Sequence, residues 1–211
     1  MKTVIFANGE LSDPLEAKAL ISGGDLIIAA DGGSIHCETL GITPKLIIGD
    51  LDSIPKNILD KSTTSGIEII RHEADKDQTD LELALLYALD ASSEHVLILG
   101  GLGNRWDHSI ANLLLAANHE FAHMQISFYS DGDWFFIVSD QLEISGVIGQ
   151  TVSILPLGGD ALGVSSIGLK WQLNNENLPH GSSRGVSNLL SSNKATITVQ
   201  DGILLIIQNK N

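Results

Sequence analysis

The chain has 211 residues, of which 43% are hydrophobic and 18% are charged, and this composition excludes a disordered chain and supplies enough apolar surface for one or two packed domains. Asp and Glu outnumber Lys and Arg by 26 to 12, which gives a formal net charge of -14. A surface with that charge repels the phosphate backbone of nucleic acids, so we expect no DNA or RNA partner.

Six short apolar runs, rich in β-branched residues, predict strands in the first two thirds of the chain. They are TVIFA (3–7), LIIAA (26–30), LIIG (46–49), IEII (67–70), VLILG (96–100) and ISFY (126–129). The runs are continuous rather than alternating, which is typical of strands that are covered on both faces. The pattern predicts an α/β domain built on a parallel sheet with flanking helices.

Two helices have recognisable starts in this part of the chain. The segment TDLELALLYAL opens with Thr79 and Glu82 at the spacing of a capping box. A second helix, SIANLLLAANHE, is predicted from Ser109 onwards, after a glycine-rich turn. Both helices therefore begin close to polar or glycine-rich segments that could form a site.

The last third has short β-rich runs and turn residues but no amphipathic helix pattern. Its clearest element is ATITVQDGILLII (195–207), in which Asp201-Gly202 between two β-rich runs predicts a β-hairpin. We therefore predict a second, all-β domain that begins within residues 131–145, and we set the domains at 1–138 and 139–211. A domain of that size is marginal by itself, so it should pack against the first domain or a second subunit.

Four of the predicted parallel strands lead directly into polar turns, which are ANGE (7–10), ADGG (30–33), GDLDS (49–53) and GGLGNRWDH (100–108). A fifth strand leads through RHEA (71–74) into DKDQTD (75–80). In an open α/β sheet, ligands bind in the crevice beyond the carboxyl ends of the strands, and these turns would converge there. The sequence therefore predicts one binding site at this edge of the sheet.

Aspartates in two of these turns predict a metal site. Asp50 and Asp52 are two positions apart, and on extended chain such residues point to the same side and can approach one cation. Asp75, Asp77 and Asp80 add further oxygen ligands, and an all-oxygen set favours Mg²⁺ over zinc. The alternative is that they are helix caps and solvated turn residues, which is a strong alternative for Asp80 because a helix favours a carboxylate in its first turn.

The glycine-rich turn at 100–108 predicts phosphate binding. Glycines such as Gly101 let backbone N–H groups approach an anion, and Arg105 supplies a planar fork suited to phosphate. The segment is neither a dinucleotide fingerprint nor a Walker A loop. The alternative for Arg105 is a surface arginine that pairs with one of the many acidic residues.

Two further contacts to a nucleotide are predicted. In ADGG, Asp31 could bind a ribose or a metal, and Gly32 permits close approach of a ligand. His108 lies in the phosphate turn and could make a polar contact to substrate. A divalent cation bridged to phosphates would offset the repulsion between the aspartates, which favours phosphoryl-type transfer as the chemistry.

Taken together, the motifs resemble those of the thiamin pyrophosphokinase family. The matching stretches, in chain order, are ADGGS, GDLDS, DKDQTDLELAL, GGLGNRWDH, GLKW (168–171) and SSRGVSN (182–188). The resemblance spans nearly the whole chain. It implies an α/β nucleotide-binding domain followed by a smaller β-sandwich domain that binds thiamin, and a homodimer with shared active sites.

The resemblance also implies the reaction and the residues that carry it. ATP with Mg²⁺ would be the donor, the thiamin hydroxyl would attack the β-phosphorus, and AMP would leave. By motif, the residues implied to act in catalysis are Asp50, Asp52, Asp80 and Arg105. The three aspartates are also implied to hold metal, and the residue pattern adds Asp77 to them. Asp31 is implied to support both the nucleotide and the metal site. The other residues named at the nucleotide are Lys76, Thr79, Arg105 and Asp107, besides Gly32, Gly101 and His108. Those implied at thiamin are Trp171, Ser187 and Asn188.

For the thiamin contacts, the residue pattern leaves plainer alternatives open. Trp171 could be a core residue of the β-sandwich, and Ser187 and Asn188 could lie in an exposed turn. For the whole protein, the alternatives are a metal-dependent phosphohydrolase with an aspartate nucleophile, or a nucleotide-sensing module without enzyme activity.

The sequence also suggests where the protein works. Cys37 is the single cysteine, which fits a reducing cytoplasm. The apolar run at the N-terminus is too short for a signal-peptide core, and no segment approaches the roughly 20 apolar residues of a membrane span. We therefore expect a cytoplasmic protein with no membrane contact.

Overall fold

The computed structural model of the protein describes residues 1–103 and 105–210; Asn104 and Asn211 lie outside this description. Contacts between Cα atoms divide the chain into two compact units, which are Met1–Leu115 with Phe128–Asp131 and Ala116–Ser127 with Gly132–Asn211. Strand β6 (Gln125–Ser130) contributes residues to both units. The division by ligand-binding role, at 1–138 and 139–211, stays a prediction.

The first unit alternates strands and helices. The elements are β1 (Lys2–Phe6), α1 (Pro14–Ala19), β2 (Leu26–Ala30), α2 (Gly33–Leu40), β3 (Leu46–Gly49), α3 (Lys56–Thr64), β4 (Glu68–Arg71), α4 (Asp80–Asp90), β5 (His95–Leu99) and α5 (Trp106–Ala116). The strands β5, β1, β2, β3 and β4 are neighbours in that order, and all four pairings are parallel. The predicted α/β class and parallel sheet are therefore confirmed.

All six apolar runs form strands, with ends that differ from the predicted ones by at most one residue. The central strand shows why the runs are continuously apolar. In β1, Val4, Ile5 and Phe6 are fully buried, and Ile5 lies opposite Ile28 and Ile98 on the neighbouring strands. Because both faces of this sheet are covered, both sets of alternating side chains must be apolar.

The helix starts follow local capping. The Thr79 hydroxyl accepts a hydrogen bond from the backbone N–H of Glu82 at 3.2 Å, which confirms the predicted cap of α4. Helix α5 begins at Trp106 rather than at Ser109, because the N–H of Ser109 already donates to the carbonyl of Arg105 at 2.9 Å. The glycine-rich turn therefore leads into the helix earlier than its apolar pattern indicated.

The second unit holds two antiparallel sheets. Its remaining strands are β7 (Asp133–Val138), β8 (Gln141–Ser145), β9 (Thr151–Pro156), β10 (Ala161–Ile167), β11 (Glu176–Leu178), β12 (Asn188–Leu189), β13 (Lys194–Thr198) and β14 (Leu204–Gln208). In one sheet, the neighbouring strands of this unit are β12-β9-β14-β7 in that order, and the other sheet has four strands in the order β11-β10-β13-β8. A single cluster of buried apolar residues draws on both sheets, so the arrangement is the expected β-sandwich.

The predicted hairpin at Asp201-Gly202 is wrong. Strand β13 pairs with β8 and β10, whereas β14 pairs with β7 and β9, so the two runs belong to different sheets. Ile197 of β13 and Ile206 of β14 enter the same core from opposite sides. The turn is a crossover between sheets because burying both apolar faces against each other removes more surface from water than a local hairpin.

Within the described residues, no helix combines the length and the apolar character that a membrane span requires.

Candidate active site

A cleft of about 660 Å³ lies at the carboxyl ends of the parallel strands in the first unit. Its walls come from the turns after β1, β2, β3 and β5 and from the residues that lead into α4. The turns after β1 and β5 are joined by a hydrogen bond from the N–H of Gly9 to the carbonyl of Gly100 at 2.8 Å. The predicted convergence of the polar turns is therefore confirmed.

Three carboxylates meet in this cleft. One oxygen from each of Asp31, Asp50 and Asp52 lies within 4.8 Å of the others. The predicted closeness of Asp50 and Asp52 is confirmed, but the predicted reason is wrong. Leu51 between them has φ of 69°, and the N–H of Asp52 donates to Oδ1 of Asp50 at 3.2 Å. A tight turn, not an extended strand, brings the two side chains together.

Asp31 is the buried member of this group. It is 4% exposed, and its Oδ1 has no hydrogen-bond partner among the described residues. Burial raises the pKa of Asp31, and repulsion from Asp80 and Asp50 acts in the same direction, while hydrogen bonds from Ser53 and Gly32 oppose the shift. A buried acceptor without a partner, facing other carboxylates, is a position that a divalent cation would satisfy.

Asp80 lies beside this group and has a partner of its own. A Cβ added to Gly49 would lie 3.0 Å from both the Cβ of Asp31 and the Cγ of Asp80, so these two side chains flank the same glycine. Asp80 accepts a hydrogen bond from Nζ of Lys76 at 2.9 Å, and both residues line the cleft. The all-oxygen donor set fits a hard cation such as Mg²⁺.

Asp77 is placed differently from the other proposed ligands. Its side chain is exposed, and it is not among the residues that line the cleft. Its role as a metal ligand stays a prediction, and among the residues named from the sequence the cleft geometry favours Asp31 in its place.

Most of the residues predicted to bind phosphate line the cleft. Arg105, His108 and Gly101 line it, and Thr79 lines it at the start of α4. Gly32 lies next to the cleft, and its N–H contributes a hydrogen bond to Asp31.

Arg105 forms an ion pair with Asp107, two positions later in the chain. Its Nε and Nη2 donate to the carboxylate of Asp107 at 3.2 and 2.5 Å. The hydrogen bonds from Arg105 lower the pKa of Asp107 to about 2, so this carboxylate stays ionised at neutral pH. Asp107 is outside the cleft lining, and its visible role is to orient the guanidinium.

Several cleft residues were not identified from the sequence. Asn8, Glu10, Ser53, Gln78, Ser109 and Asn112 all line it. For Asn8 and Glu10, the signal in the sequence is the polar ANGE turn at the end of a predicted strand. For Asn112 the sequence holds no such signal, because the residue lies inside an apolar helix pattern.

The residues predicted to bind thiamin lie in the second unit, and two of them are in contact. Trp171 is 48% exposed, so it is not a core residue, and Nζ of Lys170 lies 4.6 Å from its ring centroid. Asn188 is buried, accepts from the N–H of Trp171 at 3.0 Å and donates to its carbonyl at 2.6 Å. Ser187 is exposed, has φ of 59°, and donates its N–H to Ser153 at 3.0 Å.

Two family models match the chain. Residues 17–128 match the model described as "Thiamin pyrophosphokinase, catalytic domain". Residues 140–204 match the model described as "Thiamin pyrophosphokinase, vitamin B1 binding domain". The first match alone covers more than half of the chain, and the two models follow the division into an α/β and an all-β part.

Curated relatives and solved structures agree with these matches. The thiamine pyrophosphokinase of Bacillus subtilis is 28% identical over 193 residues, which cover 87% of each chain. Thiamine pyrophosphokinase 1 of Oryza sativa subsp. japonica is 27% identical over 179 residues, which cover 80% of this chain and 67% of the relative. The crystal structure of the Bacillus subtilis enzyme superposes with a TM-score of 0.86 at 25% identity, with full coverage of both chains. A yeast thiamin pyrophosphokinase structure, at 20% identity, shares the fold with a TM-score of 0.76 over 98% of this chain and 86% of its own.

Proposed function

The chain belongs to the thiamin pyrophosphokinase family, and on this premise we propose that it transfers a diphosphate group from ATP to the hydroxyl of thiamin. A bond forms between the hydroxyl oxygen and the β-phosphorus, the bond from that phosphorus to the oxygen shared with the α-phosphate breaks, and AMP leaves. The hydroxyl proton is released to solvent. The observation that carries the proposal is the cluster of Asp31, Asp50 and Asp52 facing a glycine-rich turn in one cleft.

The acidic side of the cleft would hold Mg²⁺. Asp31, Asp50 and Asp52 offer one oxygen each within a short distance, and the unpartnered oxygen of Asp31 supports a cation at this point. Mg²⁺ bound there would neutralise phosphate charge during transfer. Asp80 is adjacent and forms an ion pair with Lys76. Because Lys76 also lines the cleft, its ammonium group could turn from Asp80 to a phosphate oxygen.

Other residues that line or adjoin the cleft would bind the phosphates. Arg105, oriented by Asp107, presents a planar fork to anionic oxygens. The Thr79 hydroxyl accepts from the α4 backbone, so its own hydrogen is available for a phosphate oxygen. His108, Gly32 and Gly101 complete the nucleotide contacts that we propose here.

The second unit would bind thiamin. Trp171 offers an exposed aromatic face, which suits the cationic thiazolium ring. Asn188 holds the main chain of Trp171 on both its N–H and its carbonyl, which fixes the backbone from which the indole projects. The exposed Ser187 supplies a polar group next to Asn188. We further propose a cytoplasmic homodimer with shared active sites.

A product assay tests the reaction. With ATP, Mg²⁺ and thiamin, we expect AMP and thiamin diphosphate in equal amounts, identified by mass. Release of inorganic phosphate without dependence on thiamin would favour the phosphohydrolase, and nucleotide binding without any product would favour the sensing module. Family membership supports neither of these alternatives.

A variant pair tests the acidic cluster. Because Asp52 would bind metal, Asp52→Asn should lower kcat by about 100-fold or more, which corresponds to losing at least about 2.7 kcal/mol of transition-state stabilisation. Asp60→Asn is the matched control, since Asp60 is also an exposed aspartate but lies outside the cleft lining. Equal kcat values for Asp52→Asn and the wild type at saturating Mg²⁺ would contradict the metal assignment.

A further inference from the structure

The first four residues of the glycine-rich turn, 100–103, cannot fix their own backbone. Three of these four residues are glycines, which populate many backbone conformations, yet an anion site requires N–H groups held in one orientation. The restraint must therefore come from residues outside the turn.

Helix α5 supplies that restraint through two buried polar side chains. Asn112 donates from Nδ2 to the carbonyl of Gly101 at 2.7 Å. The hydroxyl of Ser109 accepts from the N–H of Gly103 at 3.0 Å and lies within hydrogen-bond distance of the carbonyls of Gly103 and Arg105. Ser109 and Asn112 are 5% and 9% exposed, and as residues three apart on a helix they share one face.

These contacts set the direction of the turn's N–H groups. In a trans peptide the carbonyl and the following N–H point in opposite directions. The carbonyl of Gly101 is directed to Asn112, so the N–H of Leu102 points away from α5, and the carbonyl of Gly100 accepts from Gly9, which similarly fixes the N–H of Gly101. Among the described residues, neither of these two N–H groups has an acceptor, although both residues line the cleft.

We propose that Ser109 and Asn112 are positioning residues for the nucleotide, which hold the glycine-rich turn in the conformation that leaves the N–H groups of Gly101 and Leu102 available to phosphate oxygens. The inference rests on the proposed function and identifies what holds the phosphate side of that site. Without the amide of Asn112, the Gly101 carbonyl loses its donor, and rotation of that peptide would present an oxygen rather than an N–H to the phosphates. ATP binding should weaken, whereas the thiamin contacts are made by other residues.

The test uses Asn112→Leu, which preserves size without a donor, and Ser109→Ala. Titration calorimetry with ATP and Mg²⁺, without thiamin, should show Kd raised about tenfold or more in each variant, and the KM for ATP should rise while the KM for thiamin changes less than twofold. Ser62→Ala is the control, since Ser62 is an equally buried helical serine outside the cleft lining. Thermal unfolding identifies the variants that fold. If Asn112→Leu does not fold, Ser109→Ala alone is sufficient for the test.

Folded variants that bind ATP within twofold of the wild-type Kd would overturn the inference, and so would equal rises in both KM values. The readout is separate from the proposed reaction, because ATP affinity is measured without turnover. A wild-type protein that binds ATP but leaves thiamin unchanged would contradict the proposed function and leave the positioning inference to be decided by the variants.

Discussion

Asp31 combines three features that are unfavourable for a carboxylate in a folded protein. It is buried, one of its oxygens has no partner among the described residues, and its backbone φ is 44°. Such features persist where the surrounding structure fixes them, and they concentrate at functional sites. Here the surroundings are Asp50 and Asp52, so the unfavourable charge is placed where a cation would reverse its effect.

Asp31→Asn should therefore raise the stability of the metal-free protein while it lowers activity. Asparagine tolerates positive φ, so the backbone should be unchanged and the charge alone is removed. In EDTA at pH 7, we expect the free energy of unfolding to rise by about 1 kcal/mol. Urea denaturation measures the change, and Asp131→Asn is the control because Asp131 has φ of 55° but is exposed.

The same substitution predicts a pH dependence. Because the pKa of Asp31 is raised in the folded state, the wild type loses stability as pH rises through the interval between its unfolded and folded pKa values. The difference between Asp31→Asn and the wild type should be largest at neutral pH and should disappear in acid. A difference that grew on acidification would contradict the assigned direction of the shift.

At the scale of elements, the start of α4 links helix stability to the site. Thr79 caps the helix and Asp80 is its first residue, so the cap fixes where the Asp80 carboxylate enters the cleft. Thr79→Ala should cost about 1 kcal/mol and raise the KM for ATP, whereas Thr79→Ser should retain the cap.

The control for this cap is α1, where Asp13 accepts from the N–H groups of Leu15 and Glu16 at 3.1 and 3.0 Å. Asp13→Ala removes a cap of the same kind outside the cleft lining, so it should lower stability to a similar extent without a change in the KM for ATP. Parallel denaturation and kinetic measurements compare the two helices. An unchanged KM for ATP in Thr79→Ala would contradict both the positioning of the site by the cap and the proposed phosphate contact of the Thr79 hydroxyl.

The crossover between the two sheets of the second unit makes a separate stability prediction. Gly202 has φ of 90°, and a Cβ there would lie 2.4 Å from the carbonyl oxygen of Asp160. Gly158 has a similar φ of 78° with no atom within 4 Å of that position. Gly158→Ala should cost about 1 kcal/mol from backbone strain, and Gly202→Ala should cost at least about 1 kcal/mol more from the clash. Equal losses in denaturant midpoint would contradict the crossover geometry.

At the scale of the whole molecule, assembly is the main prediction. The proposed homodimer shares its active sites between subunits, so dilution to monomer should abolish turnover even though each unit remains folded. Sedimentation analysis combined with specific activity over a dilution series measures this. A monomer with full specific activity would exclude shared sites. The net charge of -14 acts at the same scale, because it favours a cationic acceptor such as thiamin.

Much of this molecule could be predicted because local patterns report burial directly. The continuous apolar runs identified the parallel strands, and the polar residues at their ends identified the cleft edge. The Thr79 cap also depends on a local contact, since the hydroxyl and the N–H of Glu82 that donates to it are three residues apart. Asp50 and Asp52 were found from their spacing, although the turn at Leu51 had no visible signal.

By itself, the sequence determined which strands and capped helix form in the first unit and which polar turns meet, because periodicity and turn chemistry act between near neighbours in the chain. Only the tertiary structure decided that Asp31 is the buried member of the group with Asp50 and Asp52, that Asn112 holds Gly101, and that β13 and β14 enter different sheets. These outcomes depend on which distant segments pair and pack, and burial of apolar surface against a partner far along the chain outweighs local turn preference.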